Sequence, residues 1–209
     1  MKKILYSVAL AACCMGTMTS CSDFLDASNK SNVTAKQSFA TKEGLNNLVN
    51  NAYQHLQNVY AAPLFTSCFS AGTDMYADAR NKMNEALNTY ETLTPENTDI
   101  KNLYTYLYSG IRAANSVSYY AQTAQVDEKT KGQLVGEARV LAAYEYYLLV
   151  NNFGGVPIMK DFLTTADTGY PKSSAADVYA YIISELEDVI SKNVLQASTA
   201  TKGGGRISQ

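Results

Sequence analysis

An all-α body is what the sequence predicts, and three observations predict it. Apolar residues recur with a helical period in four segments, no segment shows the strict alternation of a half-buried strand, and capping residues precede the helical runs. With 209 residues, 46% apolar and 17% charged, the chain can bury a sizeable core, and its composition is not that of a disordered protein. Seventeen basic against 19 acidic residues give a formal net charge of −2 and no electrostatic footprint for nucleic acid.

The first helical stripe is Leu45, Leu48, Val49, Ala52, Tyr53, Leu56, Val59 and Tyr60, after Thr41 as N-cap. His55, the only histidine, sits at its edge, where a structural role is expected rather than metal ligation. Residues 61–93 are less periodic, and their centre, Ala71 to Arg80, reads as a polar loop. The second helix is expected to open at Thr94-Pro95-Glu96 and to bury Ile100, Leu103, Tyr104, Leu107, Tyr108, Ile111 and Ala114. Asn115 lies on the flank of that face, placed to position a loop or a neighbouring helix.

The third helix is expected from Asp127 or Glu128 to Asn152. It is apolar on so many sides that it must pack between neighbours. Glu137, Arg139 and Glu145 are read as structural charges within it. Glu145 falls in the apolar arc, so an ion-pair or hydrogen-bond partner is expected for it. Gly154-Gly155 stops the helix, and Val156-Pro157-Ile158 leads away extended. The fourth helix starts at Ser173 or Ser174 with Asp177 completing a capping box, and Glu185, Glu187 and Asp188 face solvent. The Ser/Thr/Gly-rich stretch 196–209 has no apolar stripe and is expected to be mobile.

The N-terminus carries an export signal. Lys2 and Lys3 precede an apolar run, Ile4 to Met15, too short to span a bilayer but suited to a signal peptide over 1–20. Met18-Thr19-Ser20-Cys21 looks like a lipoprotein cleavage box, with Cys21 as the acylated residue. The alternative is an ordinary secretory signal in which Cys21 is incidental. Residues 21–38 then form a polar, flexible tether, and stable anchoring requires more than one acyl chain. Cys13 and Cys14 leave with the signal, so Cys68 has no cysteine to pair with in the body over 39–195.

Catalytic signatures are missing. Gly203-Gly204-Gly205 follows no strand and opens no helix, no nucleophile elbow occurs, and no Cys/His spacing suits zinc, so neither cofactor nor metal is expected. The acidic pairs Asp74/Asp78 and Glu187/Asp188 are of a kind that soluble loops and helices carry routinely.

The run Gly136-Glu137-Ala138-Arg139-Val140-Leu141-Ala142-Ala143-Tyr144-Glu145-Tyr146-Tyr147 through Asn152-Phe153-Gly154-Gly155-Val156-Pro157-Ile158 resembles the signature helix of the SusD/RagB family of outer-membrane lipoproteins. Cys21-Ser22-Asp23-Phe24-Leu25-Asp26, Leu107 to Asn115, and Tyr170-Pro171-Lys172 through Glu187 are similar to that family's mature N-terminus, preceding helix and following helix. Ala142 and Val140 depart from its usual Arg and aromatic. Gly205-Arg206-Ile207-Ser208 is similar to a stretch that leads, in the family, into a long C-terminal half, so the resemblance covers only an N-terminal portion.

The resemblance implies a tetratricopeptide-like α-superhelix on a lipid-anchored, surface-exposed protein of the outer membrane. It implies non-catalytic capture of a glycan or other nutrient for a SusC-like TonB-dependent transporter. Tyr76, Asp78, Arg80 and Tyr90, in the irregular early loop, are candidate ligand-binding residues, although no motif match carries a role onto them. The alternative is a truncated helical-repeat interaction module without glycan binding of its own; an enzyme ranks third.

Overall fold

The computed structural model describes residues 34–61, 63–76, 85–165, 169–197 and 205–208. The expected signal peptide, Cys21 and most of the tether lie outside them, as do Asp78 and Arg80. All regular structure among the described residues is helical.

A single turn, α1 (Ala35–Ser38), falls inside the stretch assigned to the tether and carries Phe39 onto Tyr120, ring centroids 4.8 Å apart. α2 (Lys42–Tyr60) starts where Thr41 accepts the Gly44 N–H at 3.1 Å. A π-helical turn (Thr66–Ser70) and a short α3 (Glu85–Thr89) occupy the weakly periodic stretch, on either side of the Ala71–Arg80 centre expected as a polar loop.

α4 (Thr98–Ala121) begins later than expected. Asn97 accepts the N–H groups of Asp99 and Ile100, satisfying two donors, and leaves Thr94-Pro95 in the preceding turn. α5 (Glu128–Phe153) is capped by Asp127 and ends at Gly154, whose φ of 69° a side-chain-bearing residue adopts only with strain. α6 (Ala175–Lys192) opens on the reciprocal Ser174/Asp177 capping box and ends at Asn193 in the left-handed region.

The core fixes the directions of these helices. Leu45 to Ala52 pack with Ala113 to Ala121 and with Leu134 to Ala142, whereas Val59 packs with Leu103 to Ile111 and Ala143 to Val150. α2 and α5 therefore run parallel, with α4 antiparallel to both. α6 returns antiparallel to α5, since Val178 and Ile182 join the second cluster while Arg139 meets Glu185 and Asp188. The result is an up-down series of helix pairs in which α5 is covered by three neighbours, the physical reason for its near-absence of a polar side.

The segment Gly205–Ser208 corrects the expectation of a mobile tail. Arg206 forks onto Glu137, Nε to Oε1 at 2.8 Å and Nη2 to Oε2 at 2.7 Å, and its Nη1 donates to Asn46 Oδ1 at 3.0 Å. The Ile207 N–H donates to the Tyr53 hydroxyl at 2.8 Å, and that hydroxyl donates to Glu137 Oε1 at 2.6 Å. The end of the described chain is thus clasped across α2 and α5.

Candidate functional site

Of the four early-loop candidates, the structure describes Tyr76 and Tyr90. Tyr90 has a φ of 62°, rare for a side-chain-bearing residue, and its hydroxyl donates to the Gly72 carbonyl at 3.4 Å. A Cβ at Gly72, itself at φ 75°, would overlap the Tyr90 ring. The loop after the π-helical turn is therefore folded against the exit of α3, with Tyr90 largely exposed and Tyr76 partly covered.

A second place is built by α4 and the chain after α5. The extended run 156–165 carries backbone groups that need partners, and α4 and α5 supply them. Tyr108 donates to the Pro157 carbonyl at 2.7 Å, Asn115 Nδ2 to the Met159 carbonyl at 2.8 Å, and the Met159 N–H to the Tyr146 hydroxyl at 2.7 Å. Asn115 holds a loop, as its flanking position implied. Burial raises the hydroxyl pKa of both Tyr108 and Tyr146, so they act here as fixed neutral hydrogen-bonding groups.

Tyr104, Tyr108 and Arg112 follow one another at i, i+4 and i+8 on the same side of α4. Pro157, Met159 and Tyr170 face them, and the space between is a cleft of about 480 Å³. The two tyrosine rings are 4.8 Å apart, and Phe153 braces Tyr104 edge-on at 5.1 Å. Arg112 lies over the Phe162 ring at 5.5 Å and makes a long contact, 3.5 Å, with the Leu163 carbonyl. Among the described residues no acidic side chain lines this cleft. Asp161 belongs to the smaller adjoining hollow of about 150 Å³, also bordered by Arg112.

Arg139 ties α5 to α6 through Glu185 at 2.6 Å and through Asp188, which Lys192 also holds at 2.6 Å. Glu185 and Asp188 were expected to face solvent; the interhelical Arg139, invisible to a single-helix pattern, draws both inward. Glu145 departs further from expectation. It is fully buried beside Gly110, neither carboxylate oxygen has a hydrogen-bond partner, and burial raises its pKa well above the ordinary carboxylate value.

His55 is half-buried with its Nδ1 unpartnered, and burial lowers its pKa. Among the described residues no three His, Cys, Asp or Glu side chains are grouped to hold a metal, and no helix is long and apolar enough to cross a membrane. What the arrangement offers is a stacking surface with hydroxyls and one guanidinium, suited to binding.

Cys68 is partly covered. Burial, helped by the Asp99 charge, pushes its thiol up to about 11, so little thiolate exists at neutral pH. Iodoacetamide should therefore label Cys68 slowly in the native chain and rapidly in urea, as read by mass spectrometry. Equal rates would contradict the burial described here.

Residues 23–200 match a SusD-like family model described as starch-binding, associating with outer membrane. The chain belongs to the SusD-like family. A SusD-like protein of Formosa agariphila is 28% identical to it over 190 residues, 88% of this chain and 36% of that protein. The surface glycan-binding protein A of Bacteroides uniformis superposes with a TM-score of 0.68 at 27% identity, covering 80% of this chain and 39% of that one. A laminarin-binding SusD-like protein shares the fold at TM-score 0.66 and 20% identity, over 78% of this chain and 36% of its own. This SusD-like chain thus spans a little over a third of the length of the relatives it matches. The tetratricopeptide-like helical fold and the carbohydrate-binding family both agree with the sequence reading.

Sequence reasoning treated Tyr104 and Tyr108 as core and passed over Arg112 and Tyr170. The i, i+4, i+8 spacing was visible. Which flank of α4 stays open was not, because that depends on where the run 156–170 returns.

Proposed function

We propose that this chain is a non-catalytic glycan-capture protein, lipid-anchored through Cys21 at the outer membrane, that presents its ligand to a SusC-like TonB-dependent transporter. The observation that carries the reading is the SusD-like helical array bearing an aromatic-lined cleft that the Arg112 guanidinium also borders. Tyrosine faces suit the C–H faces of pyranose rings, and among the described residues no carboxylate pair borders the cleft. Native electrophoresis through gels containing polysaccharides tests it. Retardation by at least one glycan is expected, and migration unchanged by a broad panel would refute capture. Labelled palmitate should enter the wild-type chain and be lost in Cys21→Ala; undiminished labelling in that variant would refute the anchor.

A second reading, a helical interaction module, is favoured by one observation. Tyr60, Phe65, Tyr144, Tyr147 and Tyr179 are exposed, with Tyr60 and Tyr144 joined through their hydroxyls and Tyr144 and Tyr147 stacked at 6.2 Å. An aromatic surface of that kind marks a contact site. Co-purification with the transporter without retardation by any glycan would favour this reading over capture.

A further inference from the structure

We propose that the cleft between α4 and the chain after α5 is a subsite for an anionic sugar residue, with Arg112 holding the anion. The inference rests on the glycan-capture reading and narrows its ligand class.

Three features of the cleft lead there. Its walls are tyrosines: Tyr104 and Tyr108 along α4, and Tyr170 opposite, together a slot whose apolar faces a pyranose ring can occupy. Tyr108 is fixed by its bond to Pro157 and Tyr104 by Phe153, so two rings of the platform are in place before a ligand arrives. Arg112 closes one end. Its Cα lies about 12 Å along the helix axis from that of Tyr104, a span within the reach of a short oligosaccharide.

The charge balance then selects the ligand. Arg112 has no carboxylate within ion-pair distance among the described residues, in contrast to Arg139 and Arg206, each of which is matched to acidic partners. Among the described residues its partners are the Phe162 ring and, by a long bond, the Leu163 carbonyl, so most of its five N–H donors have no acceptor there. Among the described residues of the same loop, Asp161 borders the adjoining hollow, which Arg112 also lines, and makes no ion pair with it. A planar guanidinium at the end of a stacking slot matches a carboxylate or a sulfate ester by a bidentate pair, which a neutral hexose cannot form.

Calorimetric titration of the full 209-residue chain tests this, using an oligogalacturonide, a sulfated galactan oligosaccharide and neutral laminarihexaose. Tighter binding of an anionic probe than of laminarihexaose is expected, and which anionic probe binds decides between uronate and sulfate ester. Arg112→Met should weaken the anionic probe about tenfold, Tyr170→Ala should weaken it too, and raising the salt concentration should act in the same direction. Arg112 is exposed, so an unchanged thermal melt of Arg112→Met keeps a binding loss from being read as unfolding. Binding of laminarihexaose alone would overturn the anionic subsite while leaving glycan capture standing. Anionic binding insensitive to both substitutions would overturn the location, and no binding of either anionic probe would overturn the subsite, while glycan capture itself stands or falls on the broad polysaccharide panel.

Discussion

Arg206→Ala should lower the melting temperature of the chain by roughly 10 °C. Glu137 is 1% exposed, and the substitution removes both charged donors from it, leaving the Tyr53 hydroxyl as its remaining partner. Removing one member of a buried ion pair costs about 3–5 kcal/mol, chiefly because the other charge stays desolvated. Each kcal/mol moves the midpoint by about 2–4 °C for a domain of this size. Because the penalty belongs to the stranded carboxylate, Glu137→Gln in the Arg206→Ala background should recover part of the loss. A melt within a degree or so of wild type would show that residues 205–208 do not clasp the helices in solution.

Glu145→Met should raise the melting temperature at pH 7. The carboxyl is fully buried with no partner, and replacing such a group by an apolar side chain of similar volume gains about 2 kcal/mol. The pH dependence follows from the direction of its shift. The folded chain holds this proton at pH values where the unfolded chain, near 4.5, has released it. The site's contribution to stability is complete below about pH 4.5 and is lost as pH rises toward the folded value. Wild type should therefore lose stability between acidic and neutral pH at this group, and Glu145→Gln should flatten that part of the profile. Gly110→Ala probes the same contact from α4, since its Cβ would overlap the Glu145 carboxylate. It should cost about 1–3 kcal/mol alone and less in a Glu145→Ala background. Identical pH profiles for wild type and Glu145→Gln would remove the basis for a protonated buried acid.

What was legible in the sequence was whatever is decided locally. Thr41, Asp127 and Ser174 cap the helices they precede because an N-cap uses only the next three residues. The one misplaced start, at Thr94-Pro95, lost to Asn97, a few residues away and able to satisfy two N–H groups at once. The breadth of the apolar arc on α5 foretold its place between neighbours. Long-range pairings were not legible. Arg206 meets Asn46 across 160 positions, and nothing in the small, polar run around it signals a dock. Glu185 looked solvated for the same reason. Glu145 broke a sound rule, that buried carboxylates find partners, because the missing side chain of Gly110 makes room for the acid without offering it a donor.

The candidate site divides along the same line. Tyr76 and Tyr90 were chosen from an irregular loop, and the structure turns Tyr90 back on Gly72. The cleft along α4 depends on a return of chain after α5 that Asn115, Tyr108 and Tyr146 hold through backbone groups. The flanking place of Asn115 pointed to such a hold, but which backbone carbonyl it meets leaves no trace in residue type.

Capture without cleavage is tested most directly by incubating the intact chain with a polysaccharide that retards it, then measuring bound protein and polymer length in the same sample. Saturable retention on polymer of unchanged length is the expected result. Shortening of the polymer, or retention that never saturates, would contradict a dedicated non-catalytic binding site.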